Sequence, residues 1–402
     1  MVAIFGFTRE KVIAAVQEMY TAVAVAPERG FHFPVGRDAC LRVGYPAELL
    51  KGLPGEPLES FAGVGCPFRA GVIRAGDTVL DIGAGAGTDT LIAARLAGPT
   101  GKVFALDITP AMARKLRELV VRHGIANVEV IEGNAEDIPL PAASADVVTT
   151  NGMVNLVPDK RKAVAEMFRV LRPGGHVQLA DIVIRRPVPL DCATDPKLWA
   201  ECVVGASIDD DYLALFGDAG FERVKVLHDH DYFALSPSRE TRDIAHRFGA
   251  YAIEIAMQRG AAAPSRLAQA ARRADPRRAL RALARRGFAG AAALVISALA
   301  CYGTLAAIAL LSLAGITLAV NPALWAGTIV LFASLAATAV AAGVRRHGTY
   351  AALGLAVTGV AALAYVQFVE YSAGLEVGAF GLLAAGVALD FLRRRDSDVS
   401  LA

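Results

Sequence analysis

A chain of 402 residues has room for two or three domains, and its net charge of +2 gives no overall pull toward nucleic acid. Hydrophobic residues make up 54% of it, high for a soluble protein. The excess is uneven, because residues 1–286 hold nearly all the Lys, Asp and Glu while 287–392 are almost uncharged, and this argues for a soluble part followed by a membrane part.

Residues 8–25 read as an amphipathic helix with Val12, Ile13, Val16, Met19 and Tyr20 on one face. Arg9, Glu10, Lys11 and Glu18 within it argue against a signal peptide. Pro27 to Gly36 is turn-rich, and short helices are expected over Pro46 to Leu53 and Pro57 to Ala62. From there strands and helices alternate. The predicted order is strand 78–82, helix 88–97, strand 101–107, helix 110–123, strand 127–132, strand 145–150 and helix 159–171. The turn Arg172-Pro-Gly-Gly175 then feeds strand 176–183, and helix 208–219 precedes closing strands near 222–228 and 231–235. This pattern predicts an α/β, Rossmann-like fold: a mostly parallel, doubly wound sheet with an antiparallel edge, binding ligands at the carboxyl ends of its strands.

The stretch Asp77 to Thr90 joins an apolar strand to a helix through Gly83, Gly85 and Gly87. That spacing departs from the G-x-G-x-x-G of dinucleotide sites. Asp81, two places before the first glycine, would repel a pyrophosphate and suits a cationic or hydroxyl-bearing ligand. S-adenosylmethionine (SAM) is both. Asp107 ends the second strand, about 20 residues beyond the glycines, where a carboxylate can accept ribose hydroxyls. Asn134-Ala-Glu-Asp137 follows the third strand and can hydrogen-bond an adenine, while Asn151 and Met153 follow the fourth. The candidate cofactor residues are therefore Asp81, Gly83, Gly85, Gly87, Asp107, Ile108, Asn134, Ala135, Glu136 and Asn151. In this order they point to a SAM-dependent methyltransferase.

Residues 70–185, including Leu171-Arg-Pro-Gly-Gly175, resemble the class I SAM-dependent methyltransferases. Over about 30–260 the chain is similar to the arsenite methyltransferase family. The likeness is carried by Phe61-Ala-Gly-Val-Gly-Cys-Pro-Phe68, Ala97-Gly-Pro-Thr-Gly-Lys-Val103, Leu106-Asp-Ile-Thr-Pro-Ala-Met112, Asn155-Leu-Val-Pro-Asp-Lys160 and Trp199-Ala-Glu-Cys-Val-Val-Gly-Ala206. The resemblance implies methylation of trivalent arsenic held by cysteine thiolates, with a thiol reductant such as glutathione as partner and no nucleic acid.

The chain has five cysteines, at 40, 66, 192, 202 and 301, with no CxxC pair, which suits reduced cytosolic thiols. Cys202 matches a family arsenic-ligand position. Cys66 lies in the matching loop but two places late, where Val64 stands in the family's cysteine position. The family's fourth-strand cysteine is here Gly152. Cys66 and Cys202 are thus the candidate catalytic and metal-holding thiolates, and Cys40 or Cys192 are sources of a third. The competing reading makes them buried small hydrophobes. His228-Asp-His-Asp231 has metal-ligand residue types but reads as a solvated turn. No histidine falls where a general base is expected, which fits attack by a metalloid lone pair.

Four segments result: 1–69, an N-terminal helical and substrate-loop region; 70–260, the methyltransferase domain; 261–286, a basic linker; and 287–395, an all-α domain of about four transmembrane helices. The linker holds eight arginines. The spans are expected at about 287–320, 323–344, 349–369 and 377–392. Arg345 and Arg346 separate the second and third spans, and Arg393 to Arg395 follow the fourth, while the other two loops have no Lys or Arg. The positive-inside rule then puts both termini and the methyltransferase domain in the cytoplasm, on a multi-pass protein of the inner (cytoplasmic) membrane in contact with its lipid bilayer. In size and small-residue content the spans resemble the small mercury-resistance membrane transporters, which use cysteine pairs where this segment has Cys301.

The expected function is a membrane-tethered SAM-dependent methyltransferase acting on thiol-bound arsenite or a related soft element. One rival is the same enzyme type acting on an organic or lipid-like molecule. Another is a metal-binding transporter or sensor with an inactive methyltransferase domain.

Overall fold

The computed structural model describes residues 9–188, 205–265, 268, 294–295 and 322–400. The chain divides into two compact units, residues 1–269 and 270–402.

The first unit opens with helix α1 (Arg9–Val25) and three short helices, α2 (Arg37–Arg42), α3 (Ala47–Leu50) and α4 (Gly55–Glu59). Then come β1 (Thr78–Ile82), α5 (Thr88–Ala97), β2 (Lys102–Asp107), α6 (Pro110–Arg122), β3 (Val128–Glu132), β4 (Ala145–Asn151), α7 (Lys160–Val170) and β5 (Leu171–Ile184). The unit closes with β6 (Ser207–Ile208), α8 (Asp209–Ala219), β7 (Phe221–His230), α9 (Arg239–Phe248) and β8 (Tyr251–Arg259). The sheet order is β3-β2-β1-β4-β5-β8-β7, with β6 beside β5. The first five strands are parallel, and β8 and β7 form the antiparallel edge. The α/β fold read from the sequence is the one observed.

Covered faces explain the strand composition. Val79 of β1 packs into a core shared with Ile92 of α5, while the next residue, Leu80, packs into the opposite core with Val164 and Met167 of α7. Pro110 begins α6 at the position where its missing N–H is harmless. Asp159 caps α7 by accepting from Lys162 N at 3.1 Å. Arg172–Gly175 loops out of β5 at a register shift against β4, so the strand begins at Leu171 rather than at 176.

Two expectations need correction. Residues 231–235 are not a strand: Tyr232–Leu235 is a 3-10 turn, its start capped by Asp231 accepting from Ala234 N, with Tyr232 and Phe233 buried. The second closing strand is β8, which lies between β5 and β7 and is buried on both faces, so it shows no period-two alternation. His228 and His230 accordingly sit in strand β7 rather than in a turn, with their rings stacked 5.6 Å apart.

The second unit contains α10 (Pro322–His347), α11 (Tyr350–Phe368) and α12 (Ala373–Ser400). Among the described residues three helices are long and apolar enough to cross a membrane: Ala326–Val344, Tyr350–Phe368 and Ala373–Arg393. They coincide with the second, third and fourth expected spans. The first, at about 287–320, lies outside the described residues apart from 294–295. Helices α11 and α12 touch backbone to backbone. A β-carbon on Gly359 would stand 2.8 Å from Leu383 N, and one on Gly386 would stand 2.8 Å from Ala352 O.

Candidate active site

The first unit holds a cavity of about 1050 Å³, counted with its open mouth, at the carboxyl ends of β1, β2 and β4. The loop Gly83–Gly87 forms one wall, with φ of +75°, +54° and +102° at its three glycines. A β-carbon on Gly87 would lie 2.2 Å from Leu116 Cδ1, and one on Gly83 would lie 2.9 Å from Met153 Cβ. Glycine at both places lets α6 and the segment after β4 close on the loop. A β-carbon on Gly85 would meet nothing within 4 Å, which leaves space for a ligand against the backbone.

Asp107 lines the cavity at the end of β2. Its Oδ2 accepts from Gly85 N and its Oδ1 from Thr109 N, both at 2.8 Å. Burial raises its pKa, and these two N–H donors oppose the rise. Two hydrogen bonds occupy about half of a carboxylate's acceptor positions, so ribose hydroxyls can take the rest. Ile108, Asn134 and Ala135 line the same end, and Asn134 Oδ1 accepts from Glu136 N at 2.9 Å.

Two of the sequence-predicted residues stand behind the wall instead of on it. Asp81 Oδ2 accepts from Thr90 Oγ1 at 2.6 Å, tying β1 to α5, and burial together with neighbouring Asp89 pushes its pKa up. Glu136 accepts from Arg9 Nε at 3.0 Å and from Asp159 N at 3.2 Å. Arg9 thereby pins the start of α1, and Gln17 Nε2 donates to Ile108 O at 2.8 Å. The face of α1 bearing Ile13, Val16 and Tyr20 covers the cavity.

The other end is built by Phe61, Gly63, Asp89, Asn151, Gly152 and Met153. Asn151 Oδ1 accepts from Val64 N at 2.8 Å, and its Nδ2 reaches Gly65 O at 2.9 Å and Asp89 Oδ2 at 3.1 Å. Tyr45 Oη donates to Asp89 Oδ1 at 2.5 Å. Burial raises the Asp89 pKa to about 6 despite these donors. Tyr45 and Asp89 escaped the sequence reading. Asp89 had one available signal, an acidic residue in the first turn of a helix that opens at a ligand loop. Tyr45 had none.

Among the described residues no thiol stands on the cavity wall. Cys66 is 2% exposed and lies behind it, its N–H donating to Glu254 Oε1 at 2.9 Å. Burial first, then the charges of Asp89 and Glu254, push its thiol up to about 12. Cys40 is fully buried and its thiol is raised for the same first reason. Cys202 and Cys192 lie outside the described residues. Among the described residues no group of three His, Cys, Asp or Glu side chains could hold a metal ion. Val64 and Gly152, by contrast, are neighbours: a β-carbon on Gly152 would lie 3.3 Å from Val64 Cγ1.

A methyltransferase domain family matches residues 73–220. The arsenite methyltransferase of Halobacterium salinarum is 40% identical over 185 residues, covering 46% of this chain and 47% of that protein. The ubiquinone/menaquinone biosynthesis C-methyltransferase of Escherichia coli is 34% identical over 187 residues, covering 41% of this chain and 71% of that protein. The crystal structure of an arsenic (III) S-adenosylmethionine methyltransferase from Chlamydomonas reinhardtii is similar at 31% identity, covering 53% of this chain and 72% of that one, with a TM-score of 0.46. The chain spans about half the length of the arsenite methyltransferases it matches.

Proposed function

This chain belongs to the SAM-dependent methyltransferases, and from that premise we propose that it methylates a soft metalloid, arsenite first, presented to the cavity as a thiolate complex. Bound SAM supplies an electrophilic methyl group on a positively charged sulfur. In this reading Asp107 takes the ribose hydroxyls, Asn134 and Ala135 flank the base, and the Gly83–Gly87 loop receives the amino-acid end. Helix α1 excludes water from above. Asn151 holds the Gly63–Cys66 loop against the end of β4, so the acceptor meets a prearranged wall.

One observation carries the metalloid reading: Gly152 on the cavity wall adjoins Val64, buried just behind it, and these are the two places from which the arsenite methyltransferase family presents thiols. With valine and glycine there, the metalloid depends on Cys202 and on small-molecule thiols such as glutathione. The test is the full-length protein in detergent with SAM, glutathione and arsenite, read by speciation of methylated arsenic. Product is expected from the wild type and loss of most of it from Cys202→Ser. No methylated arsenic from the wild type would exclude the metalloid.

A second reading, an organic or lipid-like acceptor bearing an exchangeable proton, is favoured by the Asp89 carboxylate on a wall where no described thiol stands. Methyl transfer from labelled SAM into extracted membrane lipids, with none into arsenite, would establish it.

The second unit we assign to the lipid bilayer, with the end of α10 that carries Arg345 and Arg346 on the cytoplasmic side, as is the methyltransferase unit. Protease accessibility in sealed inside-out and right-side-out vesicles tests that orientation.

A further inference from the structure

The cavity wall has a lopsided charge. Two carboxylates line it, Asp89 and Asp107, and among the described residues that line it there is no Lys, Arg or His. The two acids sit on opposite flanks of β1. Asp107 ends β2 on one side, and Asp89 is joined to Asn151 at the end of β4 on the other. Asp107 already accepts two backbone N–H groups. Asp89 is held differently, by side chains from two separate segments: the Tyr45 hydroxyl on Oδ1 and the Asn151 amide on Oδ2. Both donors are neutral, so they orient the carboxylate without cancelling its charge. Asp89 lines the cavity while only 7% exposed, and in so low-dielectric a setting an uncompensated anion is costly and a nearby cation is strongly favoured.

The cofactor and its product differ by one charge in this respect. SAM carries a sulfonium and, once the methyl group leaves, S-adenosylhomocysteine carries a neutral thioether on the same skeleton. We propose that Asp89, positioned by Tyr45 and Asn151, is the residue by which the cavity prefers the sulfonium form of the cofactor over its demethylated product. The proposal rests on the methyltransferase reading and deepens it. Asp89 stabilises the charged reactant state and releases the product, whose sulfur no longer complements it. Asp107 serves both ligands alike, because the ribose is unchanged by the reaction.

The experiment is calorimetric titration of the full-length protein in detergent with SAM and, separately, with S-adenosylhomocysteine. In Asp89→Asn the affinity for SAM should fall on the order of tenfold, the difference between a charge-assisted and a neutral partner, while the affinity for S-adenosylhomocysteine stays within about twofold. Tyr45→Phe keeps the carboxylate and should keep most of the discrimination. Asp89→Ser, smaller and still able to meet the Tyr45 hydroxyl, serves if the amide variant does not fold. Equal weakening of both ligands by the Asp89 variants would overturn the proposal and give Asp89 a merely architectural role, as would unchanged discrimination. Failure of the wild type to bind either ligand would overturn the methyltransferase reading as well, so the two failures are distinguishable.

Discussion

Gly152 on the cavity wall adjoins Val64 behind it, with 3.3 Å from Val64 Cγ1 to where a β-carbon on Gly152 would stand. In the proposed reading each occupies a place where the arsenite methyltransferase family carries a cysteine. Paired thiols at these two adjacent places would be close enough to share one trivalent arsenic. The double variant Val64→Cys, Gly152→Cys is expected to bind arsenite more tightly than the wild type in a competition assay against a dithiol dye. Gly152 has a φ of +72°, which a cysteine tolerates poorly, so the variant should lose about 1–2 kcal/mol of stability. Unchanged arsenite binding in a folded double variant would mean that the wall does not receive the metalloid.

Cys66 and Cys40 should behave as buried hydrophobes in the native protein. A thiol held at about 12 rather than 9.0 presents roughly a thousandfold less thiolate at pH 8. Iodoacetamide at that pH should leave both cysteines unmodified until denaturant is added, as read by peptide mass spectrometry. Prompt alkylation of Cys66, suppressed by arsenite, would instead identify it as a reachable ligand.

Much of the sheet was legible because local chemistry specified it. The apolar run Thr78–Ile82 ends at a glycine loop, and α5 runs over the expected 88–97. The place of Asp107, Asn134 and Ala135 on the cavity wall was legible for the same reason: Asp107 ends a strand, and Asn134 and Ala135 follow the end of the next. What escaped depends on side-chain direction and on distant partners. Asp81 lies two places from the loop, yet its side chain turns to Thr90 instead of the cavity. Tyr45 reaches Asp89 across 44 residues of sequence, a relationship that exists only once the N-terminal segment has packed. β8 was missed because a strand covered on both faces shows no alternation, whereas Tyr232 and Phe233 imitate a strand by their bulk.

Asp181, at the core end of β5, gives the fold a pH dependence. Tyr212 Oη donates to it at 2.6 Å and Asn155 N at 2.9 Å, but burial outweighs them and raises its pKa from 3.8 to about 6. The folded state therefore binds the proton more tightly than the unfolded chain. That contribution to stability is complete below about 3.8 and is lost as pH rises through about 6. Asp181→Asn cannot titrate. The difference in melting temperature between wild type and variant, followed by circular dichroism, should shift in the variant's favour between pH 4 and 7. A difference that stays constant across that range would show that Asp181 does not titrate in the folded state.

Among the described glycines of the second unit, Gly359 and Gly386 are the ones packed against a neighbouring backbone. Helices α11 and α12 approach so closely that a β-carbon at Gly359 would lie 2.9 Å from Ala379 O, and one at Gly386 would lie 2.8 Å from Ala356 N. Backbone atoms cannot swing aside as a flexible side chain can, so any side chain must separate the helices. In a bilayer, where lipid solvates apolar side chains as well as protein does, close packing of small residues is a main source of helix association. Gly359→Leu and Gly386→Leu should each cost at least about 1–3 kcal/mol, the usual cost of overpacking. Gly354, whose β-carbon would meet nothing within 4 Å, is the control: Gly354→Leu should be tolerated. Retention of monodisperse full-length protein after mild heating in detergent, read by size-exclusion chromatography, separates the two groups. Equal retention by all three variants would show that α11 and α12 do not pack through these glycines.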